Sequence, residues 1–340
     1  MNKQLVSLVV IIAALAAAIY FLTIGANQAS AEKLKLFPEL AEQAQKIQQI
    51  QVSNANGSLI DARQSQGQWI TVLPVSEREY PLQQKALSEL VDGLSKAVLF
   101  EAKTAKSENF GRLGLQDIDQ VDSQGTLIKI RIGTKDYQVL VGARASLGQG
   151  SFARLIGEKQ TWLLDRIINL PTDQYAWLKQ PILDVLKEQV SYLRREGNAG
   201  FEIQKDFEQE DGFTLKGLGE SEELKYQSIL SAFVDNLVNL KFEKIVDAGE
   251  SGFDPQSVTA TFEVGLEDGR ILNMWLWEHA DAAYVRFGGD FGKYWYDVNY
   301  QLSSFSAGQI DKTYSDFIQD KRSQTQLPQE YPIDEGESPQ

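Results

Sequence analysis

Ile47-Gln-Gln-Ile-Gln-Val52, a turn at Asn56-Gly57, Leu59–Arg63 and then Gln68-Trp69-Ile-Thr-Val72 is the stretch that decides the fold. Short runs of alternating apolar residues separated by Asn-Gly and Gln-Gly turns predict a three-stranded antiparallel meander. Leu82, Ala86, Leu87, Leu90, Val91 and Leu94 follow at helical spacing, with Pro81 suited to a first helical position.

The same order recurs about 140 residues later. Val190-Ser-Tyr-Leu-Arg194, a turn at Gly197-Asn198, Phe201–Lys205 and Gly212-Phe213-Thr-Leu215 repeat the meander, with Phe213 in place of Trp69. Ile229, Phe233, Leu237 and Leu240 repeat the helix, and Lys241-Phe242-Glu243 follows it as Leu99-Phe100-Glu101 follows the first. Phe152-Ala-Arg-Leu and Gln160-Thr-Trp-Leu-Leu-Asp165 match Tyr284-Val-Arg-Phe and Lys293-Tyr-Trp-Tyr-Asp297. That alignment sets Trp162 opposite Trp295 and predicts a closing strand at 294–298. Helical segments at 172–178 and 307–318 are expected to finish the two copies. The fold class is therefore α+β: an N-terminal transmembrane helix followed by two tandem, duplicated modules. The expected boundaries are anchor 1–31, linker 32–46, first module 47–182, second module 183–322 and a disordered tail 323–340.

The anchor is read from Leu5 to Ile24, about twenty residues without a charge and long enough as a helix to cross a bilayer. Ala29-Ser30-Ala31 resembles a signal-cleavage site, so cleavage after Ala31 is the alternative to a retained span. Either way the body is expected on the periplasmic side of a bacterial inner membrane. The tail is rich in Gln, Glu, Asp and Pro and has too little apolar surface to offset its ordering entropy.

Composition narrows the function. The net charge is −14, from 33 basic and 47 acidic residues, which argues against nucleic acid as a partner, since phosphates need a basic face. Cysteine is absent, so disulfides, thiolate metal sites and thiol nucleophiles do not arise.

Few residues suggest chemistry. The single histidine, His279, stands in Glu278-His279-Ala280-Asp281, where a turn role outweighs a metal ligand or general base. Asp290-Phe291-Gly292 lacks the companion motifs of a kinase and reads as a hairpin turn. The acidic stretch 247–254 lacks the calcium-loop pattern. No catalytic residue, metal site or cofactor is expected. The candidate recognition feature is aromatic. Trp275 and Trp277 alternate on one face of a strand, and Trp295 lies close by in sequence. Exposed, this row would bind a glycan or a partner; buried, it is sheet core.

Leu36-Phe37-Pro38-Glu39-Leu40, the meander, Phe110-Gly-Arg-Leu-Gly-Leu115, Gln160–Asp165, Leu170-Pro171 and Trp177-Leu178 follow the N-terminal span as a series of landmarks. Together they resemble the bacterial domain-of-unknown-function family numbered 4340. The resemblance covers about residues 1–185 closely and the second copy more loosely. It carries over no catalytic residues. It implies a single-span envelope protein accompanying an ABC-type export system, with permease and ATPase as partners. The alternatives are an envelope glycan- or lipoprotein-binding module and, last, a hydrolase using carboxylates.

Overall fold

The computed structural model describes residues 34–146, 150–197, 199–208, 212–290 and 298–321. The expected anchor from Leu5 to Ile24, the tail 323–340, Asn198, Phe291 and Trp295 lie outside the described residues. Within them no helix is long and apolar enough to cross a membrane. The architecture is mixed α+β, with antiparallel sheets and few helices.

The chain forms two compact units. The first runs to Thr71 and resumes from Leu82 to Trp177; the second takes Val72–Pro81 and everything from Leu178 onward. The expected join at 182/183 thus has its counterpart at Trp177/Leu178. The assignment of 72–81 to the second unit is not visible in hydrophobic periodicity.

In the first unit the meander is β1 (Gln49–Asn54), β2 (Gly57–Ser65) and β3 (Gln68–Val72). Gln66 and Gly67 both have positive φ, as a two-residue hairpin turn requires. The short strand β4 (Glu79–Pro81), part of the second unit, precedes in sequence helix α1 (Gln84–Lys96) of the first, which buries Leu87, Leu90 and Leu94 along one stripe. Pro81 therefore does not open the helix. Leu82 donates its N–H to Trp69 O, and Gln83 remains extended. Beyond α1 come β5 (Leu99–Ala102), β6 (Thr126–Ile132), β7 (Lys135–Arg144), β8 (Ser151–Leu155) and β9 (Thr161–Leu164). Within this unit the strands lie in the order β3-β2-β1-β6-β7-β8-β9-β5. The helix expected at 172–178 is only a 3-10 turn, Tyr175–Trp177, where Asp173 Oδ1 accepts the Tyr175 N–H at 2.6 Å and sets the chain in a turn.

The second unit holds β10 (Val190–Arg195), β11 (Phe201–Asp206), β12 (Gly212–Leu215), β13 (Glu222–Leu224), helix α2 (Ile229–Val238), β14 (Lys244–Val246), β15 (Ala260–Leu266), β16 (Ile271–His279), β17 (Ala282–Gly289), β18 (Asn299–Leu302), helix α3 (Ser304–Ile310) and β19 (Ile318–Asp320). Its main sheet has the order β12-β11-β10-β15-β16-β17-β18-β14, while β13 pairs with β19 apart from it. The single helix expected at 307–318 is divided into α3 and Tyr314–Phe317. Thr313 breaks it by starting the second piece with a reciprocal cap, its N–H donating to Asp316 Oδ2 at 2.7 Å.

Strand by strand, the two orders run in parallel, and so do the registers. Ile50 faces Ala62 and Ile130; Leu193 faces Ile203 and Val264. Ala153 faces Val141 and Trp162; Val285 faces Leu276 and Tyr300. Phe152–Leu155 and Tyr284–Phe287 therefore occupy the same strand at the same level. Trp162 lies across from Ala153 as Tyr300 lies across from Val285, and the expected match of Trp162 with Trp295 falls outside the described residues. Phe100 and Phe242 also part company. A bulge between Leu99 and Glu101 leaves Phe100 67% exposed, whereas Phe242 is 5% exposed and packs on Tyr80 and Tyr300.

Candidate functional site

Each sheet turns one face to its helix and builds the core there. Trp275 and Trp277 lie on the other face of the second sheet, so that face is where recognition would occur. Alternation along β16 puts them beside Tyr284 and Arg286 of β17.

A covering segment takes up part of this face. After β14, Asp247 caps the short helix Ala248–Ser251 by accepting the Glu250 N–H at 2.8 Å, and Gly252 ends it at φ 58°. That brings Phe253 onto Trp277 at 4.8 Å between ring centres, and Trp277 stacks on Tyr284 at 5.7 Å. The Trp277 indole N–H donates to Ser251 O at 2.8 Å, and the Asn299 amide donates to Ser251 Oγ at 2.8 Å. Trp277 is completely buried in this cluster.

Trp275 is half-buried. Its ring lies over Gly288, where a Cβ would come within 2.9 Å of it. His279 is exposed and ends β16, with its ring set against Gly252 so closely that no side chain fits there. Asp290 Oδ2 accepts the Ile271 N–H at 3.0 Å, at the open end of the β16–β17 pair. Among the described residues no group of three or more His, Cys, Asp or Glu is placed to hold a metal ion.

The first unit covers the same face by the same means. Helix Phe110–Leu113, ended by Gly114 at φ 65°, brings Phe110 and Leu115 onto Leu140, with Ile118, Leu127 and Phe152 around them. Beneath it Arg154, with a side chain 7% exposed, is ion-paired to Asp117 and donates to Leu115 O at 3.4 Å and Glu158 O at 3.3 Å.

The uncovered parts of both faces carry charged side chains that satisfy one another. In the second unit the Tyr192 hydroxyl donates to Glu263 at 2.9 Å. Arg194 reaches Glu202 at 3.3 Å and Glu263 at 3.4 Å, and the Gln204 amide donates to Glu202 at 2.6 Å. In the first, Arg131 and Lys129 both hold Asp136 at 2.9 Å, and Gln49 and Gln51 both donate to Asp61. The hydrogen bonds from Arg131 and Lys129 hold the Asp136 carboxyl down at about 2. The Gln204 amide leads the lowering at Glu202, and the backbone N–H of Arg270 leads it at Asp268. Every described carboxylate with a displaced pKa is displaced downward. A general acid at neutral pH needs the opposite shift.

Sequence reasoning placed Trp275 and Trp277 on one face correctly but missed Arg154 and Arg286, which anchor the covers. Their signal was present: an arginine in the middle of each matched apolar strand, Phe-Ala-Arg-Leu and Tyr-Val-Arg-Phe.

The model of a family described as a domain of unknown function, DUF4340, matches residues 69–258, more than half of the chain and parts of both units. No curated protein and no solved structure matches the chain.

Proposed function

The chain belongs to the DUF4340 family, and from that premise we propose a non-catalytic, membrane-anchored accessory protein of an ABC-type envelope transport system. The span from Leu5 to Ile24 holds it in the inner membrane, and the body stands in the periplasm beside a permease and its ATPase. The observation that carries the non-catalytic reading is the pairing of charge on both open sheet faces. Carboxylates locked to Arg, Lys and Gln present a fixed polar surface and are poor proton donors. Partnership with a transport system rests on the family resemblance, and the anionic body supports attachment through the span and not through lipid headgroups.

We further propose that the two units are copies of one module, with expected boundaries at 47–182 and 183–322. Matching strand order, matching registers and the paired arginine–phenylalanine covers support this reading. The same covers weigh against the binding-module reading built on Trp275, Trp277 and Trp295, since Trp277 is enclosed.

Topology is the direct test of the anchor. An alkaline phosphatase fusion after Gln340 should be active, and the protein should resist carbonate extraction. A mature N-terminus at Glu32, or release into the soluble fraction, would replace the retained span with a cleaved signal.

A further inference from the structure

The first unit has a groove of about 420 Å³ that the proposed function does not use. It opens between α1 and the 3-10 turn Ala44–Lys46 that leads into β1. Its floor is apolar and buried: Ile47, Ile50, Trp69 and Leu87. Its rim is neutral and polar, formed by Gln45, Gln64, Gln84 and Ser88, all exposed. The two charged lining residues, Asp92 and Lys96, are paired with each other at 2.5 Å.

Among the described residues of the second unit a charged group stands at the matching position. Gln64 pairs across the hairpin with Trp69, and Lys205 pairs in the same way with Phe213. Lys205 Nζ reaches Glu267 at 2.6 Å and also the carbonyl of Glu188, in the 3-10 turn before β10. A charged clasp therefore ties sheet to turn in the second unit, where the first presents an uncharged amide.

We propose that the groove of the first unit binds a neutral, hydroxyl-rich ligand of sugar type. Carboxamides donate and accept together, as hydroxyl groups do, so three glutamines and a serine match a ring of hydroxyls without selecting a charge. The exposed part of the floor, chiefly the edge of the Trp69 indole at 9% exposure, is apolar and meets the C–H edge of a pyranose, which a purely polar cleft would not. The mutual pairing of Asp92 and Lys96 leaves no net charge to draw an ionic ligand. A volume of about 420 Å³ is toward the small end of ligand pockets and suits roughly one to two sugar rings. This site is separate from the Trp275 face, and its occupancy does not depend on the transport reading.

The test is saturation-transfer NMR on the full chain in an amine-oxide detergent, which carries no sugar. The probes are galactose, maltose and chitobiose at millimolar concentration, with neutral trialanine and dodecanol as competitors of other classes. At least one sugar should receive saturation. Ser88→Trp, at an exposed helix position, should abolish the transfer, and Gln64→Ala should weaken binding up to about tenfold, the worth of one hydrogen bond. Trp275→Ala should leave it unchanged. Should Ser88→Trp lose its circular dichroism, the Gln64→Ala/Gln84→Ala double variant decides by the same loss of signal. Absence of transfer to all three sugars overturns the proposal. So does transfer that persists in the blocked variant, or transfer to trialanine or dodecanol alone.

Discussion

The guanidinium carbon of Arg286 lies 4.9 Å from the centre of the Phe253 ring. Arg154, at the matching register of the first sheet, lies 4.9 Å from the centre of Phe110. In both units an arginine on the open sheet face thus pins the segment that crosses it, by a cation–π contact to that segment's phenylalanine. The surroundings differ. Arg154 is enclosed and bonded to Asp117, Leu115 and Glu158, while Arg286 is half-buried.

That difference sets unequal costs. Arg154→Ala removes a buried cation together with its hydrogen bonds and should destabilise the first unit by about 3 kcal/mol. Arg286→Ala removes a half-buried arginine from the Phe253 ring and should cost less, about 1–2 kcal/mol. Urea unfolding of both variants against the parent chain checks the ranking. Equal costs would mean that the two covers are not held by the same device.

Trp277 and Trp275 should separate just as clearly. Trp277→Ala empties a fully buried, hydrogen-bonded site and should cost about 3–5 kcal/mol. Trp275→Ala gives up only part of a half-buried ring and should cost less than about 2 kcal/mol. Thermal unfolding measures both, and a larger loss at Trp275 would show that the cover over Trp277 does not form.

How far the sequence discloses this architecture can be judged from the same two residues. Alternation put Trp275 and Trp277 on one face, because strand periodicity is local. Which part of the face would be covered depends on 247–257, a segment with no apolar period, positioned by Asp247, Gly252 and a contact to a distant arginine. The two meanders and α2 were legible for the same local reason, whereas the three-residue strands β4, β13, β14 and β19 are too short to show a period. Of the closing strand expected at 294–298 only Val298 lies within the described residues, and the strand seen there is Asn299–Leu302, paired to β17 at Leu302, Gln301 and Tyr300. The groove beside Trp69 was invisible because its lining comes from three separate segments of the chain.

Arg195 gives a sharper test of the paired registers. It faces Phe201 and Phe262, as Val52 faces Ile60 and Ile128 in the first unit. It is 8% exposed and donates to Asp311 at 3.0 Å, while its Nε and Nη1 are buried without a partner among the described residues. Asp311→Ala leaves that charge uncompensated and should cost about 3 kcal/mol, the low end for a broken buried pair because Asp311 is half-exposed. Arg195→Val installs the residue of the first unit, removes two unpartnered buried N–H groups and leaves Asp311 half-exposed to water, so it should cost less than Asp311→Ala. Chemical denaturation of the two variants decides; if Arg195→Val is the more damaging, the charge has a role that the registers do not reveal.

The Asp136 network predicts a specific acid response. Hydrogen bonds from Arg131, then from Lys129, lower this carboxyl from its ordinary 3.8 to about 2. A group whose folded pKa lies below its unfolded one stabilises the fold above the unfolded value. That contribution is lost as pH falls through the folded value. The stabilisation from Asp136 should therefore be complete above pH 3.8 and disappear toward pH 2. In a carbon-13 carboxyl titration Asp136 should protonate near 2, and a midpoint near 3.8 would mean that Arg131 and Lys129 do not hold it in solution.

Co-purification tests the proposed function most directly. The full chain, tagged after Gln340 and extracted from membranes in mild detergent, should bring down an ABC permease together with its ATPase in constant proportion, identified by mass spectrometry. Recovery should persist when Trp275 is replaced by Ala and be lost when the segment from Leu5 to Ile24 is exchanged for a cleavable signal. Purification of the intact, membrane-extracted chain without either transport protein would contradict the accessory role.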